Sequence, residues 1–402
     1  VAARRSPHGV GPSLARRDAK QSAVNRNRSQ SMKTLKILAT ATVALTLMAG
    51  ATCVQAAEEI NFGIISTEAS TNLKKIWDPF LEDMAKGTGY KINAFYASDY
   101  AGVIEAMRFK KVQLAWFGNK SAMEAVNRSG GEIFAQSVDA DGNPGYWSHL
   151  IVHKDSPIKS LDDVLKCDKS LDFGNGDPNS TSGFLVPTSY IFAAKNIDPK
   201  QCFKTVRSAS HEANGMAVAN KQVSFATNNS ENLRRLEKTA PDAFKNIRII
   251  WTSPLIPSDP LVWRKDIAPE VKTKLYTFIM SYGRVGTPEE MTAAKAKLAA
   301  LQWAPFNPSN DDQLLPIRTL EANKSLLKVK SDDKLSAEEK QKQIDALQAE
   351  IKSYEAQTAK ADKSTFATFR TAFIEADKAK KADELKKMIA DMASKLATSA
   401  TN

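Results

Sequence analysis

From residue 60 to residue 264 the chain keeps alternating short β-rich runs with helical patterns, and that alternation restricts it to a layered α/β protein. Strands are predicted over 60–65, 90–96, 112–116 and 133–138, with helices between them over 101–109 and 121–127. A helix after the first strand places Leu73, Ile76, Trp77, Phe80, Leu81 and Met84 on one face and ends at Gly87 and Gly89. Residues 147–153 can carry the chain to a second lobe, where helices over 161–165, 183–196 and 212–220 alternate with strands over 171–173, 203–206 and 223–227. The run 247–251 heads back, and a strand over 261–264 with helices near 271–282 and 289–298 completes the first lobe. The division expected is therefore 57–149 with 256–330 for one lobe and 150–255 for the other, hinged near Leu150 to His153 and Trp251 to Pro257. Two lobes joined by two crossings enclose a cleft, and ligands of open α/β sheets sit outside the carboxyl ends of strands.

The first 56 residues stand apart. Met32, Lys33 and Lys36 precede a charge-free apolar run from Ile37 to Met48, followed by small residues and Val54-Gln55-Ala56, which reads as a secretory signal cleaved after Ala56. Residues 1–31, with seven Arg/Lys and one Asp, read as upstream sequence from too early a start codon. The charge-free stretch from Ile37 to Ala57 is long enough for a retained anchor, but its threonines and small residues favour cleavage.

Without that leader the charge is 47 basic against 44 acidic residues instead of the net +11 of the full chain, so most of the basicity is leader. A nucleic-acid partner has no basic, aromatic-interleaved patch to rest on. A composition of 42% hydrophobic and 25% charged residues excludes a disordered chain. Two cysteines remain, Cys167 and Cys202, each just before a predicted strand of the second lobe; in an oxidising compartment they are candidates for a disulfide.

The run Phe173-Gly174-Asn175-Gly176-Asp177-Pro178-Asn179-Ser180-Thr181-Ser182-Gly183 ends a strand and places three hydroxyls at a helix start. Free N–H groups of a first turn, the positive end of the helix dipole and hydroxyl donors together suit a tetrahedral oxyanion. The alternative is that Asp177 or Ser180 does no more than cap the helix. Beyond about Ser331 the composition turns to Ala, Lys, Glu, Asp and Gln, predicting C-terminal helices over 331–402. Ile344, Leu347, Ile351 and Tyr354 form one apolar stripe, and Leu385, Met388, Ile389, Met392 and Leu396 another. Such stripes pack on their own lobe or meet in a homodimer.

Several longer motifs fall together in order: Asn61-Phe62-Gly63-Ile64-Ile65-Ser66-Thr67, Asp99-Tyr100-Ala101-Gly102, Pro144-Gly145-Tyr146-Trp147-Ser148, the run from Asn175 to Pro187, Ala226-Thr227-Asn228-Asn229 with Glu231, and Ser253-Pro254-Leu255-Ile256-Pro257 with Asp259-Pro260. Together they closely resemble the phosphonate-binding periplasmic proteins of ABC importers. The resemblance implies a two-lobed, class II periplasmic-binding-protein fold, a periplasmic location, a membrane permease as partner, and binding without catalysis or cofactor. It places phosphonate oxygens against Ser180, Thr181 and Ser182, with Tyr100 and His211 as further donors and Tyr146 at the crossing. Glu231 and Asp259 match the acidic positions that receive the ammonium of 2-aminoethylphosphonate. An anion site with two carboxylates a short alkyl chain away suits a zwitterion.

Other readings attach to the same residues. A Tyr or His often packs, Glu231 at a helix start complements the dipole, and Asp259 between prolines shapes a turn. A phosphite or phosphate receptor is the nearest neighbour in function, and the acidic pair argues against it. A helical interaction protein would leave the cleft unused. An enzyme on phosphoesters would need a metal cluster or activated nucleophile, and the chain has neither an HExxH nor a GxSxG pattern. His149 and His153 share a predicted strand, where four residues span about 13 Å, too far for one metal ion.

Overall fold

The computed structural model describes residues 58–398, so the leader expected over 1–56 lies outside the described residues. In chain order the strands are β1 (Glu59–Ile64), β2 (Lys91–Tyr96), β3 (Leu114–Trp116), β4 (Gly131–Asp139), β5 (Gly145–Tyr146), β6 (Ser148–His153) and β7 (Asp172–Asn175). There follow β8 (Thr205–Ser208), β9 (Phe225–Asn229), β10 (Ile247–Thr252), β11 (Ile256–Pro257), β12 (Pro260–Arg264) and β13 (Trp303–Pro308).

They form a six-stranded sheet in the order β13-β4-β12-β3-β1-β2 and a five-stranded sheet in the order β10-β6-β9-β7-β8. Within the first, β1 runs parallel to β2 and β3, whereas β12 is antiparallel to both β3 and β4. Within the second, β7 is parallel to β8 and β9, and β6 is antiparallel to β9 and β10. The alternation of the sequence thus yields the two lobes of a class II periplasmic-binding-protein fold.

The helix Ser70–Thr88 explains how the first lobe closes. Leu73, Trp77, Phe80, Leu81 and Met84 are buried on one side, and Gly89 ends the helix in the left-handed conformation at φ 74°. Trp77 packs at 5.3 Å from Phe62 of β1, 5.4 Å from Trp116 of β3 and 5.3 Å from Trp303 of β13, so one indole ties the helix to three strands. The edge strand β13 was not expected: Pro305 and Pro308 argue against a strand, and both are tolerated because β13 pairs on one side only.

Of the two expected hinges, that of Trp251 to Pro257 includes one strand of the crossing, Ile256–Pro257, and the other does not take part in it. Leu150 to His153, read as a hinge, are buried in β6, an interior strand of the five-stranded sheet. The chain passes between lobes in a small antiparallel ribbon, Tyr146 opposite Ile256 and Gly145 opposite Pro257. A Cβ on Gly145 would stand 1.9 Å from the Ile256 carbonyl oxygen, so this tight pairing requires glycine.

Cys167 and Cys202 form a disulfide closing a separation of 35 residues. Past residue 331 lie three helices, Ala337–Ala361, Thr365–Lys378 and Ala382–Thr398. Leu385 and Ile389 of the last are buried in the first lobe's core, with Met388, Met392 and Leu396 packed against it. The Ile344-Leu347-Ile351-Tyr354 stripe is half-buried in a helix that packs along Leu315–Lys330. Both stripes therefore serve their own chain, and neither supports the homodimer.

Candidate functional site

Four of the candidate residues stand in the first turn of a helix because the residue before them, or one residue earlier, is a capping residue. Asp99 accepts from the N–H of Gly102, Ser180 from Gly183, Ser210 from Ala213 and Asn229 from Asn232. Tyr100, Thr181, His211 and Glu231 follow those caps, so all four stand at the positive ends of helix turns.

The hydroxyl run is folded by a close backbone contact. A Cβ on Gly176 would meet the Gly183 backbone at 2.5 Å, and Gly176 N–H donates to the Gly183 carbonyl at 3.0 Å. The helix expected from Gly183 begins earlier, at Thr181, and its first residues are wound in the wide π form, with Leu185 N–H reaching the Ser180 carbonyl at 3.1 Å.

Ser180, Thr181 and Ser182 are buried, and each hydroxyl oxygen already accepts a bond from nitrogen. Ser180 Oγ accepts from Gly183 N–H at 2.9 Å, Thr181 Oγ1 from Lys120 N–H at 2.8 Å, and Ser182 Oγ from Asn229 Nδ2 at 3.1 Å. A hydroxyl oxygen that accepts one bond can still donate its own hydrogen, so each of the three has a hydrogen to give to a neighbouring side chain or to an anion. Capping therefore does not exclude a donor role for Ser180.

His211 is buried, with Nε2 3.4 Å from both Ser180 Oγ and Ser182 Oγ, while Nδ1 has no partner. Burial pushes its pKa down to about 4, so the neutral imidazole is the resting form near pH 7. Tyr100 is likewise buried, its phenol bonded with Ser180 and its pKa held well above the ordinary value by desolvation and then by Asp177 and Asp259. Its main-chain N–H donates to Asp177 Oδ2 of the other lobe at 3.1 Å.

The acidic side is built on the crossing ribbon. Asp259 follows β11 and is buried; Tyr146 donates its phenol to Asp259 Oδ1 at 3.0 Å. The Asp259 carbonyl is held by Ser137 N–H at 2.9 Å and Ser137 Oγ at 3.0 Å, which fixes the backbone of this residue to β4. Thr181 Oγ1 and Asp259 Oδ1 lie 3.3 and 3.8 Å from the point where a Cβ on Gly118 would stand, so glycine keeps open the gap between hydroxyls and acid. Desolvation pushes Glu231 up to about 7, with Arg235 and Arg234 opposing; Asp259 is raised well above the ordinary carboxylate range by desolvation and then by the Glu231 charge.

The lobes meet around this site. Arg234 pairs with Asp139 and, at 2.6 Å, with Asp141; Arg235 Nε lies 2.6 Å from Glu68 Oε1; and Glu212 accepts from Ala69 N–H at 2.8 Å and Asn72 Nδ2 at 2.7 Å. None of these was anticipated. Arg234 and Arg235 could have been noticed as the i+3 and i+4 neighbours of Glu231 on one helix face, but their partners lie far off in sequence. His149 is spent in β6, its Nδ1 3.0 Å from Thr252 Oγ1, and no group of His, Cys, Asp or Glu among the described residues could hold a metal ion.

Comparison with known proteins shows the family of the chain. Residues 62–314 match the family model described as the phosphonate periplasmic substrate-binding protein of ABC transporters. The chain is 54% identical over 306 residues to the phosphonates-binding periplasmic protein of Escherichia coli (strain K12), covering 76% of this chain and 88% of the relative. A crystal structure of a binding protein component of an ABC phosphonate transporter from Pseudomonas aeruginosa superposes with a TM-score of 0.73 at 55% identity, over 76% of this chain and 99% of that one. A phosphate-import protein of Mycolicibacterium smegmatis is 30% identical over 247 residues, 58% of this chain and 74% of the relative.

Proposed function

Because the chain belongs to the periplasmic phosphonate-binding proteins of ABC transporters, we propose that its cleft captures 2-aminoethylphosphonate, a zwitterion, by both ends. The protein is the periplasmic component that carries a phosphonate to the transporter's permease; the finer assignment concerns which phosphonate and which side chains.

In this reading Ser180, Thr181 and Ser182 donate to the phosphonate oxygens, with Tyr100 and neutral His211 completing the shell. Neutral His211 presents a hydrogen to the anion without adding a fixed charge that would trap it. Glu231, Asp259 and Tyr146 receive the ammonium. The lobes close about the ribbon of Gly145–Tyr146 and Ile256–Pro257 when both ends are engaged.

The observation that carries this choice is the acid pair beside the hydroxyl cradle, Asp259 buried and Glu231 half-buried. Two carboxylates held off water are unfavourable as neighbouring charges, and an ammonium relieves both at once. A phosphate or phosphite ion offers no such relief, although one relative is named for phosphate import. Methylphosphonate, phosphite and phosphate should therefore bind about a hundredfold more weakly than 2-aminoethylphosphonate, the scale of leaving buried charge unpaired. Calorimetric titration of the four ligands tests it. Glu231→Gln and Asp259→Asn should each remove most of the preference, and equal wild-type affinities would refute the amine assignment.

A further inference from the structure

We propose that Arg370, on the C-terminal helix Thr365–Lys378, is the positioning residue that fixes Asp259 for the ligand's amine, acting through Gln136 on the crossing segment. This rests on the amine-binding reading above and names the device that supports its acid. Arg370 lies past residue 314, where the match to the family model ends, so the device belongs to the C-terminal helices and not to the matched region.

Three consecutive carbonyls, those of Pro257, Ser258 and Asp259, are held by groups of the first lobe. Asn119 Nδ2 donates to Pro257 at 2.7 Å, and Ser258 accepts from Gln136 Nε2 at 3.0 Å and Gln313 Nε2 at 2.8 Å. Ser137 donates to Asp259 from its main-chain N–H and its Oγ. These residues join β11 to β12, so the place of the Asp259 carboxylate follows from the bonds on this segment together with the phenol of Tyr146. Gln136, Ser258 and Asp259 are all buried, where a misplaced acceptor has no bulk water to turn to.

Gln136 could present either end of its amide to Ser258, and only the NH2 end is attractive there. A guanidinium donates and never accepts, so Arg370 Nη2, 2.7 Å from Gln136 Oε1, locks the amide with Nε2 toward the Ser258 carbonyl. Arg370 is itself held. Its Nε donates to the Pro308 carbonyl of β13 at 3.1 Å, and its helix is anchored by Phe373 in the first lobe's core and by Asp377, 2.8 Å from Arg284 Nε. Both arms of a planar fork are thereby used, which fixes its direction. A water in its place would both donate and accept, and the amide could then turn and set Oε1 against the Ser258 carbonyl.

The test is Arg370→Met in the full-length exported protein, which keeps an unbranched stem and removes both donors. Affinities for 2-aminoethylphosphonate and methylphosphonate are measured by calorimetry. The expected result is a loss of about threefold to tenfold for the aminophosphonate, the scale of one hydrogen bond, with methylphosphonate unchanged because only the amine draws on Asp259. Arg370→Lys, which keeps a donor for Gln136 Oε1, should recover most of the ratio of the two affinities. In a Gln136→Met background Arg370→Met should have no further effect on that ratio.

Unchanged methylphosphonate binding reports that the variant is folded. If it is lost, Gln136→Met must lower the ratio on its own or the proposal falls. A wild type that does not prefer the amine overturns the underlying reading and this inference with it. A wild type that prefers it, together with an Arg370→Met variant of unaltered ratio, overturns the role of Arg370 alone.

Discussion

The main-chain N–H of Lys120 donates to Thr181 Oγ1 at 2.8 Å, joining the first turn of a helix in one lobe to the first turn of a helix in the other. Two positive helix ends thus face the same hydroxyl, and a phosphonate oxygen placed there is drawn to both lobes. Thr181→Val keeps the branched shape but removes both the acceptor for Lys120 and the donor for the ligand. Calorimetry should show about tenfold to hundredfold weaker binding of every phosphonate, amine-bearing or not. Thr181→Ser should restore it, and undiminished binding by the valine variant would show that the hydroxyl is not used.

The acid pair predicts a direction for proton exchange. Burial raises Glu231 to about 7 and raises Asp259 in the same sense, so near neutrality the free cleft retains protons that an ammonium must displace. Affinity for 2-aminoethylphosphonate should therefore grow as pH rises from about 5 through about 7, with protons released on binding. Titrations in two non-phosphate buffers of different ionisation heat should give that release near about pH 6, with the share due to Glu231 largely gone above about pH 8. Methylphosphonate should not release protons from the pair. For the free protein the sign is reversed. These groups hold protons more tightly when folded than when unfolded, so their contribution to stability is complete below the unfolded carboxylate value and is lost as pH rises through their raised folded values, about 7 for Glu231.

Cys167 and Cys202 close a loop of 35 residues, which on loop entropy is worth about 3 to 4 kcal/mol to the second lobe. Cys202 is buried in the lobe's own core with Phe203, Phe173 and Phe225, and Cys167 is exposed, so the bridge ties a surface segment to that core. Replacing both cysteines by serine should lower the thermal midpoint by several degrees while leaving ligand affinity in the folded protein within about twofold. A large loss of affinity at a temperature where the variant is folded would show that the bridge also shapes the site.

What could be read from the sequence and what could not divide along a physical line. The helical face of Leu73, Trp77, Phe80, Leu81 and Met84 was legible because burial follows the period of a helix. Tyr100, His211 and Glu231 were named through the resemblance to a family; the caps Asp99, Ser210 and Asn229 that set them in first turns of helices are what the structure adds. Trp303 was not legible: its strand carries two prolines, and pairing on one side only tolerates them. Lys120 was hidden for another reason, since the group that reaches Thr181 is its main-chain N–H, which every residue but proline has. The Arg234–Asp139 pair joins positions 95 residues apart, and charge alone does not say which acid a given arginine will meet.

Those inter-lobe pairs give a prediction that separates closure from recognition. Glu68, buried before the helix Ser70–Thr88, meets Arg235 of the opposite lobe, and the two are parted whenever the cleft opens. Its replacement in Glu68→Gln weakens the closed form and touches no group proposed to hold the ligand. A change that acts on closure alone scales every affinity by the same factor, because each ligand draws on the same closed population. Glu68→Gln should therefore weaken 2-aminoethylphosphonate and methylphosphonate alike, by about threefold to tenfold for a partly buried ion pair. The loss should appear in the dissociation rate, followed by stopped-flow tryptophan fluorescence, with association little changed. A selective loss of the aminophosphonate would instead place Glu68 in the electrostatics of the amine site, and no loss at all would mean that the Arg235 pair does not contribute to holding the lobes together.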